Sequence, residues 1–328
     1  MKRAVLIALM AAVMAAGCAP AASTTTALTT IRLPMGYIAN VQYALFYIAV
    51  DKGYFRDEGL DIEFDYRFET DGMKLVGGGQ LPLAVVSGEQ VPLARAQGLP
   101  VVYVMQWWRT YPVGVAAPVE KNIKTPADLI GKKVGLPGFF GASYVGWRGI
   151  LFKAGINEAD IKTQDIGFTQ VAALQQGTVD AAVIYINNEP IQLRAAGLDV
   201  DVMKVSDYVD LVANGIVTNE QTIRDRPELV RGFVRALLRG LQDALADPEM
   251  AFETSKKFVE GLGSNPQNDA IQRQVLLESI KLWQTPTPGR SDAAAWQATE
   301  EVLLSMGLIK DKIDPAQLYT NQFVDEAK

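Results

Sequence analysis

From about residue 28 onward the chain alternates short β-rich runs with helical segments, the pattern of α/β folds built on mainly parallel sheets. Ile31-Arg32-Leu33 opens a strand, and Leu60-Asp61-Ile62-Glu63-Phe64 alternates apolar with polar as a half-buried strand must. Further strands are expected at 83–86, 101–105, 133–136 and 180–185. Residues 41–52 predict an apolar helix, and another opens near Ser143 and runs to about Ala154. Between Pro227 and Pro248, the residues Leu229, Val230, Phe233, Val234, Leu237, Leu238, Leu241 and Leu245 recur with the 3.6-residue period, so a helix over 227–246 buries one long stripe. In Thr125-Pro126-Ala127-Asp128 the Thr is placed to N-cap, Pro suits the first helical position and Asp the third, while Gly131 can end the turn with positive φ. No internal repeat at solenoid periods is visible, and 328 residues suffice for two domains.

Composition removes whole classes of chemistry. The chain has no His and one Cys. Ser-His-Asp and Cys-His hydrolysis, histidine base catalysis and the usual zinc sites all need an imidazole, and a single Cys leaves no disulfide or CxxC chemistry within the chain. With 31 Lys+Arg against 37 Asp+Glu the formal charge is −6, and no basic block offers a footprint for nucleic acid. No metal, cofactor or catalytic residue is expected.

The amino terminus reads Met1-Lys2-Arg3, an apolar run from Ala4 to Ala16, then Gly17-Cys18. That run is too short to span a bilayer but suits the apolar region of an export signal. Ala15-Ala16-Gly17 before the only Cys resembles a bacterial lipoprotein signal, although Leu is common where Ala15 stands. The competing reading is an ordinary signal with an incidental Cys. Residues 1–17 are thus expected to be a signal peptide, Cys18 a lipidation site, and residues 18–27 a tether, poor in groups to bury. A body held at the outer face of a bacterial cytoplasmic membrane follows.

Several phrases carry a resemblance. Asn40-Val41-Gln42-Tyr43-Ala44-Leu45-Phe46-Tyr47-Ile48-Ala49, then Lys52-Gly53-Tyr54-Phe55-Arg56-Asp57-Glu58-Gly59-Leu60-Asp61, resembles the opening of solute-binding proteins of ABC importers, in the branch of aliphatic-sulfonate, thiamine-pyrimidine-precursor and riboflavin binders. Val85-Val86-Ser87-Gly88-Glu89-Gln90, Leu129-Ile130-Gly131-Lys132-Lys133-Val134-Gly135 and Gly177-Thr178-Val179-Asp180-Ala181-Ala182 agree. The likeness covers residues 30–245 well and the remainder loosely. It implies the two-lobed periplasmic-binding-protein fold, type II, with a ligand cleft between lobes and two chain crossings. Lobe one would comprise residues 28–116 and 214–328, lobe two 117–213. The implied partners are a small-molecule solute, a membrane permease and its ATPase; no P-loop occurs here.

In open α/β sheets ligands sit beyond the carboxyl ends of strands, so the loops after strands hold the candidates. Asn40, Gln42 and Tyr43 precede a helix, with N-capping the alternative role for Asn40. In pyrimidine-binding relatives a His usually stands where this chain has Tyr43. Ser87 and Glu89 follow an apolar run, where capping alone would account for the Ser. Trp107 and Trp108 belong to a cluster of three aromatics at a strand end, which cannot all face one side of a strand, so at least one indole should be exposed or in the cleft. Phe140 lies in a Gly-rich turn before a helix. Tyr185, Asn188 and Glu189 end a buried strand, where a plain turn with Pro190 opening a helix is the competing reading.

Arg109 is the only cation in these clusters, which disfavours capture of sulfonate, phosphate or nitrate. Aromatic faces with amides and carboxylates between them favour a planar heteroaromatic solute. Among solutes of the resembling branch riboflavin fits best, with a thiamine-pathway pyrimidine precursor as the alternative. Eukaryotic pyrimidine synthases share the fold family, but their likeness rests on a Cys-rich motif and a His that this chain lacks; binding without chemistry is expected.

Overall fold

The computed structural model describes residues 27–327. The expected signal peptide, Cys18 and nearly all of the tether lie outside the described residues. Within them the strands are β1 (Thr29–Gly36), β2 (Leu60–Phe68), β3 (Ala84–Ser87), β4 (Val101–Gln106), β5 (Val113–Pro118), β6 (Lys133–Leu136), β7 (Lys162–Asp165), β8 (Ala181–Tyr185), β9 (Val200–Lys204) and β10 (Asn214–Asn219). The helices that position the site are α1 (Ala44–Asp51), α2 (Glu69–Gly77), α3 (Gly141–Ala154), α4 (Glu189–Ala195), α5 (Pro227–Ala246) and α6 (Pro266–Trp283).

β1 and β2 pair in parallel, in register from Thr29 opposite Leu60 to Pro34 opposite Asp65, with an irregularity before Gly36. β1 also lies beside β3, which forms a three-stranded sheet in the order β3-β10-β4. The other sheet has the order β7-β6-β8-β5-β9. Mainly parallel sheets were expected; in fact β6 is parallel to β7 and β8, while β5 and β10 run antiparallel to their neighbours. The physical reason is that each of these two strands follows a short passage from one sheet to the other. With no helix to carry the chain back along the sheet, it enters at the edge where the preceding strand ended. The passages are residues 107–112 and 205–213. The expected lobe break at 116/117 falls inside β5, whose hydrogen bonds go to β8 and β9.

The long amphipathic helix spans the predicted residues: Val230, Phe233, Val234, Leu237, Leu238 and Leu241 are buried, with Leu229 and Leu245 at its margins. Each fully buried side chain of this kind contributes roughly 1.5–3 kcal/mol before the entropy of ordering is subtracted. α5 lies against α1 so closely that a Cβ on Gly240 would stand 2.2 Å from the Leu45 carbonyl oxygen. The turn at Thr125 forms the anticipated capping box with Asp128, but around a 3₁₀ turn, Pro126–Leu129, and Gly131 follows with φ of 76°.

Candidate ligand-binding cavity

A cavity of about 90 Å³ opens where the two sheets face each other. Its lining comes from strand ends and the segments just beyond them. Tyr37 follows β1, Gln42 and Tyr43 lie in the 3₁₀ turn before α1, and Phe68 and Glu69 span the β2–α2 junction. Trp107 and Trp108 follow β4, Phe140, Ala142 and Ser143 surround the start of α3, and Phe168 and Gln170 follow β7. Tyr185 ends β8, Asn188 and Glu189 open α4, and Asn214 begins β10. Among the described residues no Lys or Arg lines the cavity, and Arg109 is exposed and outside its lining.

The structure therefore brings together eight of the residues singled out from the sequence: Gln42, Tyr43, Trp107, Trp108, Phe140, Tyr185, Asn188 and Glu189. Asn40, Ser87 and Glu89 do not line the cavity. Asn40 takes the capping role, its Oδ1 accepting from Gln42 N at 3.0 Å. Ser87 and Glu89 are fully buried behind the wall. The Ser87 hydroxyl lies 2.8 Å from Glu69 Oε2 and 2.5 Å from Glu89 Oε1. One hydroxyl proton cannot serve both. Burial, and after it the neighbouring Glu69 carboxylate, pushes Glu89 up to about 8. Glu89 is then protonated at neutral pH and donates to Ser87, which donates to Glu69.

The aromatic residues form two groups. On the floor, Tyr43, Trp107, Trp108 and Tyr185 follow one another with ring centroids 6.0–6.3 Å apart, all largely edge-on or tilted. Both indoles line the cavity, because residues beyond Gln106 have left β4 and the alternation of a strand no longer governs them. The Tyr43 hydroxyl donates to Met35 O at 2.7 Å and so is already engaged. Trp107 Nε1 and Asn214 Oδ1 have no hydrogen-bond partner although buried, leaving one donor and one acceptor for a solute to satisfy. Around the mouth Phe68, Phe140 and Phe168 are 43%, 41% and 40% exposed. Phe68 meets Phe140 at 5.2 Å and Phe168 at 5.7 Å, and Tyr37 meets Phe168 edge-on at 4.7 Å, so these rings touch across the gap between sheets.

Two polar links also span the gap. Asn187 Nδ2, just after β8, donates to Gln42 Oε1 at 2.7 Å and to Ser279 Oγ of α6 at 2.8 Å. Glu69 connects Ser87 to Ala142. Glu189 sits in the wall, where burial pushes it up to about 7 despite the Tyr185 N–H donating to its Oε2 at 2.8 Å. Near neutral pH it can accept from a ring N–H as a carboxylate or donate to a ring carbonyl as an acid.

Phe68, Glu69, Phe168, Gln170 and Asn214 were missed from the sequence. A signal existed for two of them. The period-two apolar pattern at Leu60, Ile62 and Phe64 continues through Tyr66 to Phe68, which places Glu69 in a segment after a strand.

Two α/β halves, one holding the β1–β2 pair with the three-stranded sheet and the other the five-stranded sheet, are joined by two passages with a polar-aromatic cavity between them; this is a two-lobed ligand-binding architecture, and known proteins agree. The chain belongs to the NMT1/THI5-like family, whose model matches residues 40–251. It is 40% identical over 314 residues to riboflavin-binding protein RibY of Chloroflexus aurantiacus, covering 93% of this chain and 89% of that one. It is 31% identical over 286 residues to the formylaminopyrimidine-binding protein of Halalkalibacterium halodurans, covering 84% and 85%. The alkanesulfonate-binding protein SsuA of Xanthomonas axonopodis pv. citri, solved with MOPS bound, superposes with a TM-score of 0.70 at 16% identity, over 90% of this chain and 99% of that one. The fold is the two-lobed periplasmic-binding-protein architecture that the opening phrases of the sequence implied.

Proposed function

We propose that this protein is the extracytoplasmic solute-binding component of an ABC importer and that it captures a planar, uncharged heteroaromatic vitamin, riboflavin in the first instance. One observation carries the reading: the cavity between the sheets is walled by aromatic rings and by amide and carboxyl groups, with no Lys or Arg. Stacking and edge contacts with such rings contribute roughly 0.5–1.5 kcal/mol per pair beyond burial, and Glu189 and Asn188 can read the N–H and carbonyl edge of a ring. The likeness to the riboflavin binder of Chloroflexus supports the choice.

At about 90 Å³ the cavity has room for roughly six to nine water molecules, at ~10–15 Å³ each, and a tricyclic ring enters as the walls part. The lobes rock about their two linking segments, residues 107–112 and 205–213, and the solute shifts the population toward the closed form by binding it better. The filled protein then docks on a membrane permease driven by an ATPase, held near it by a lipid on Cys18. The small volume of the cavity favours one second reading, a smaller pyrimidine of the thiamine pathway, as the Halalkalibacterium relative's name would suggest.

Purifying the chain without its first 18 residues and titrating it with riboflavin decides between them. Stoichiometric quenching of flavin and indole fluorescence, with the solute recovered unchanged, is expected. Quenching by an aminopyrimidine alone shifts the assignment to the second reading, and turnover of either solute refutes binding without chemistry.

A further inference from the structure

The Glu69 carboxylate, in the cavity wall, receives backbone donors from both sides of the gap. Its Oε2 accepts from Ser87 N at 2.9 Å and from Ser87 Oγ at 2.8 Å, at the end of β3. Its Oε1 accepts from Ala142 N at 2.7 Å, in the first turn of the 14-residue helix α3. The sequence makes room for it there. Gly141 has φ of 70°, and a Cβ at that position would stand 2.5 Å from Glu69 Oε1. A helix start with free N–H groups attracts anions, and three donors around one point would suit an oxyanion of a solute equally well. Here that point is filled by the protein's own acid.

We propose that Glu69 is the residue that makes this cavity select neutral over anionic solutes, by filling the place where an anion would otherwise bind and repelling a second one. The proposal rests on the planar-solute reading above and adds to it the sign of charge that is refused. Among the described residues no lining cation offsets the repulsion, and a second carboxyl group, Glu189, stands in the wall. Like charges within a few ångströms in a partly dry site discriminate by a factor on the order of 100.

The test compares riboflavin with riboflavin 5′-phosphate by isothermal titration, in wild type and Glu69→Gln. Wild type is expected to bind the phosphate ester at least ~100-fold more weakly, and Glu69→Gln to narrow that ratio at least ~10-fold. An unchanged ratio in the variant, or no discrimination in wild type, overturns the proposal. A second arm needs no flavin. In Glu69→Ala the three donors are vacated, so sodium formate should raise the melting temperature saturably, above a sodium chloride control, while wild type shows no such rise. If wild type binds neither flavin, the vitamin assignment fails, and the formate arm still decides: absence of a formate effect in a folded Glu69→Ala protein overturns the role given to Glu69.

Discussion

If a ring N–H of the solute donates to Glu189, binding requires the carboxylate and therefore competes with protonation. Burial holds Glu189 at about 7 in the empty cavity. For a group that must lose its proton, the apparent Kd grows as 1 + 10^(pKa − pH), so affinity is nearly complete at about pH 8 and falls roughly 30-fold by about pH 5.5. The direction is opposite to that of a histidine-gated site, and no His is present to obscure it. Glu69 and Glu89 are the other acids nearby; Glu89 is held up to about 8 and lies behind the wall, so any contribution from it persists when Glu189 is changed. Flavin-fluorescence titrations of wild type and Glu189→Gln across that range give the answer. The variant should bind about tenfold more weakly at about pH 8, the difference between a charge-assisted and a neutral hydrogen bond, and should lose most of the pH slope. A flat profile in wild type, or an equal slope in Glu189→Gln, would falsify the role given to this carboxyl group.

The same burial has a consequence for stability. Glu189 and Glu89 are raised above their ordinary 4.5, so their contribution is fully present below that value and is lost as pH rises through about 7 and about 8; the melting temperature of the ligand-free protein should fall over that window, and Glu89→Gln should lessen the fall. Gly240→Ala should destabilise by about 1–3 kcal/mol in urea unfolding, because the added carbon meets the backbone of α1; a neutral result would mean the two helices are not in contact as described. Trp108→Phe should weaken solute binding by about 1 kcal/mol through loss of ring surface, measured by titration, and an unchanged Kd would remove that ring from the binding wall. Asn187→Ala frees Gln42 and Ser279 and should shift solution scattering of the empty protein toward a larger radius of gyration; identical curves would show that this link does not hold the sheets together.

Strands with strong period-two or continuous apolar runs, such as Leu60–Phe64 and residues 133–136, were legible, as was α5 from its stripe. β7, with the sequence Lys162-Thr163-Gln164-Asp165, was not: it is a largely exposed edge strand whose pairing with β6 supplies what its side chains do not signal. In the site, residues standing directly after legible strands were found. Asn214 was hidden because it begins a strand, and it reaches the cavity only since β10 enters its sheet from the cavity edge. Ser87 and Glu89 mark the opposite limit. Glu89 follows a strand as expected while Ser87 is the last residue of that strand, and which way the two side chains turn depends on Glu69, distant in sequence and brought alongside by β2.

The amides of Trp107 and Trp108 both donate to Asn214 O, each at 3.2 Å, so the first passage between sheets is stitched to the residue that ends the second. The proposed pivot and the floor of the cavity are thus built from the same residues. In the hinge motion proposed above, a point near the pivot travels little and a point far from it travels a long way, so the indoles would stay nearly in place while Phe68 draws away from Phe140 and Phe168. On that proposal a flat guest comes to rest on a surface already in place and the outer rings shut over it afterwards, so landing and enclosure become two separate events in time.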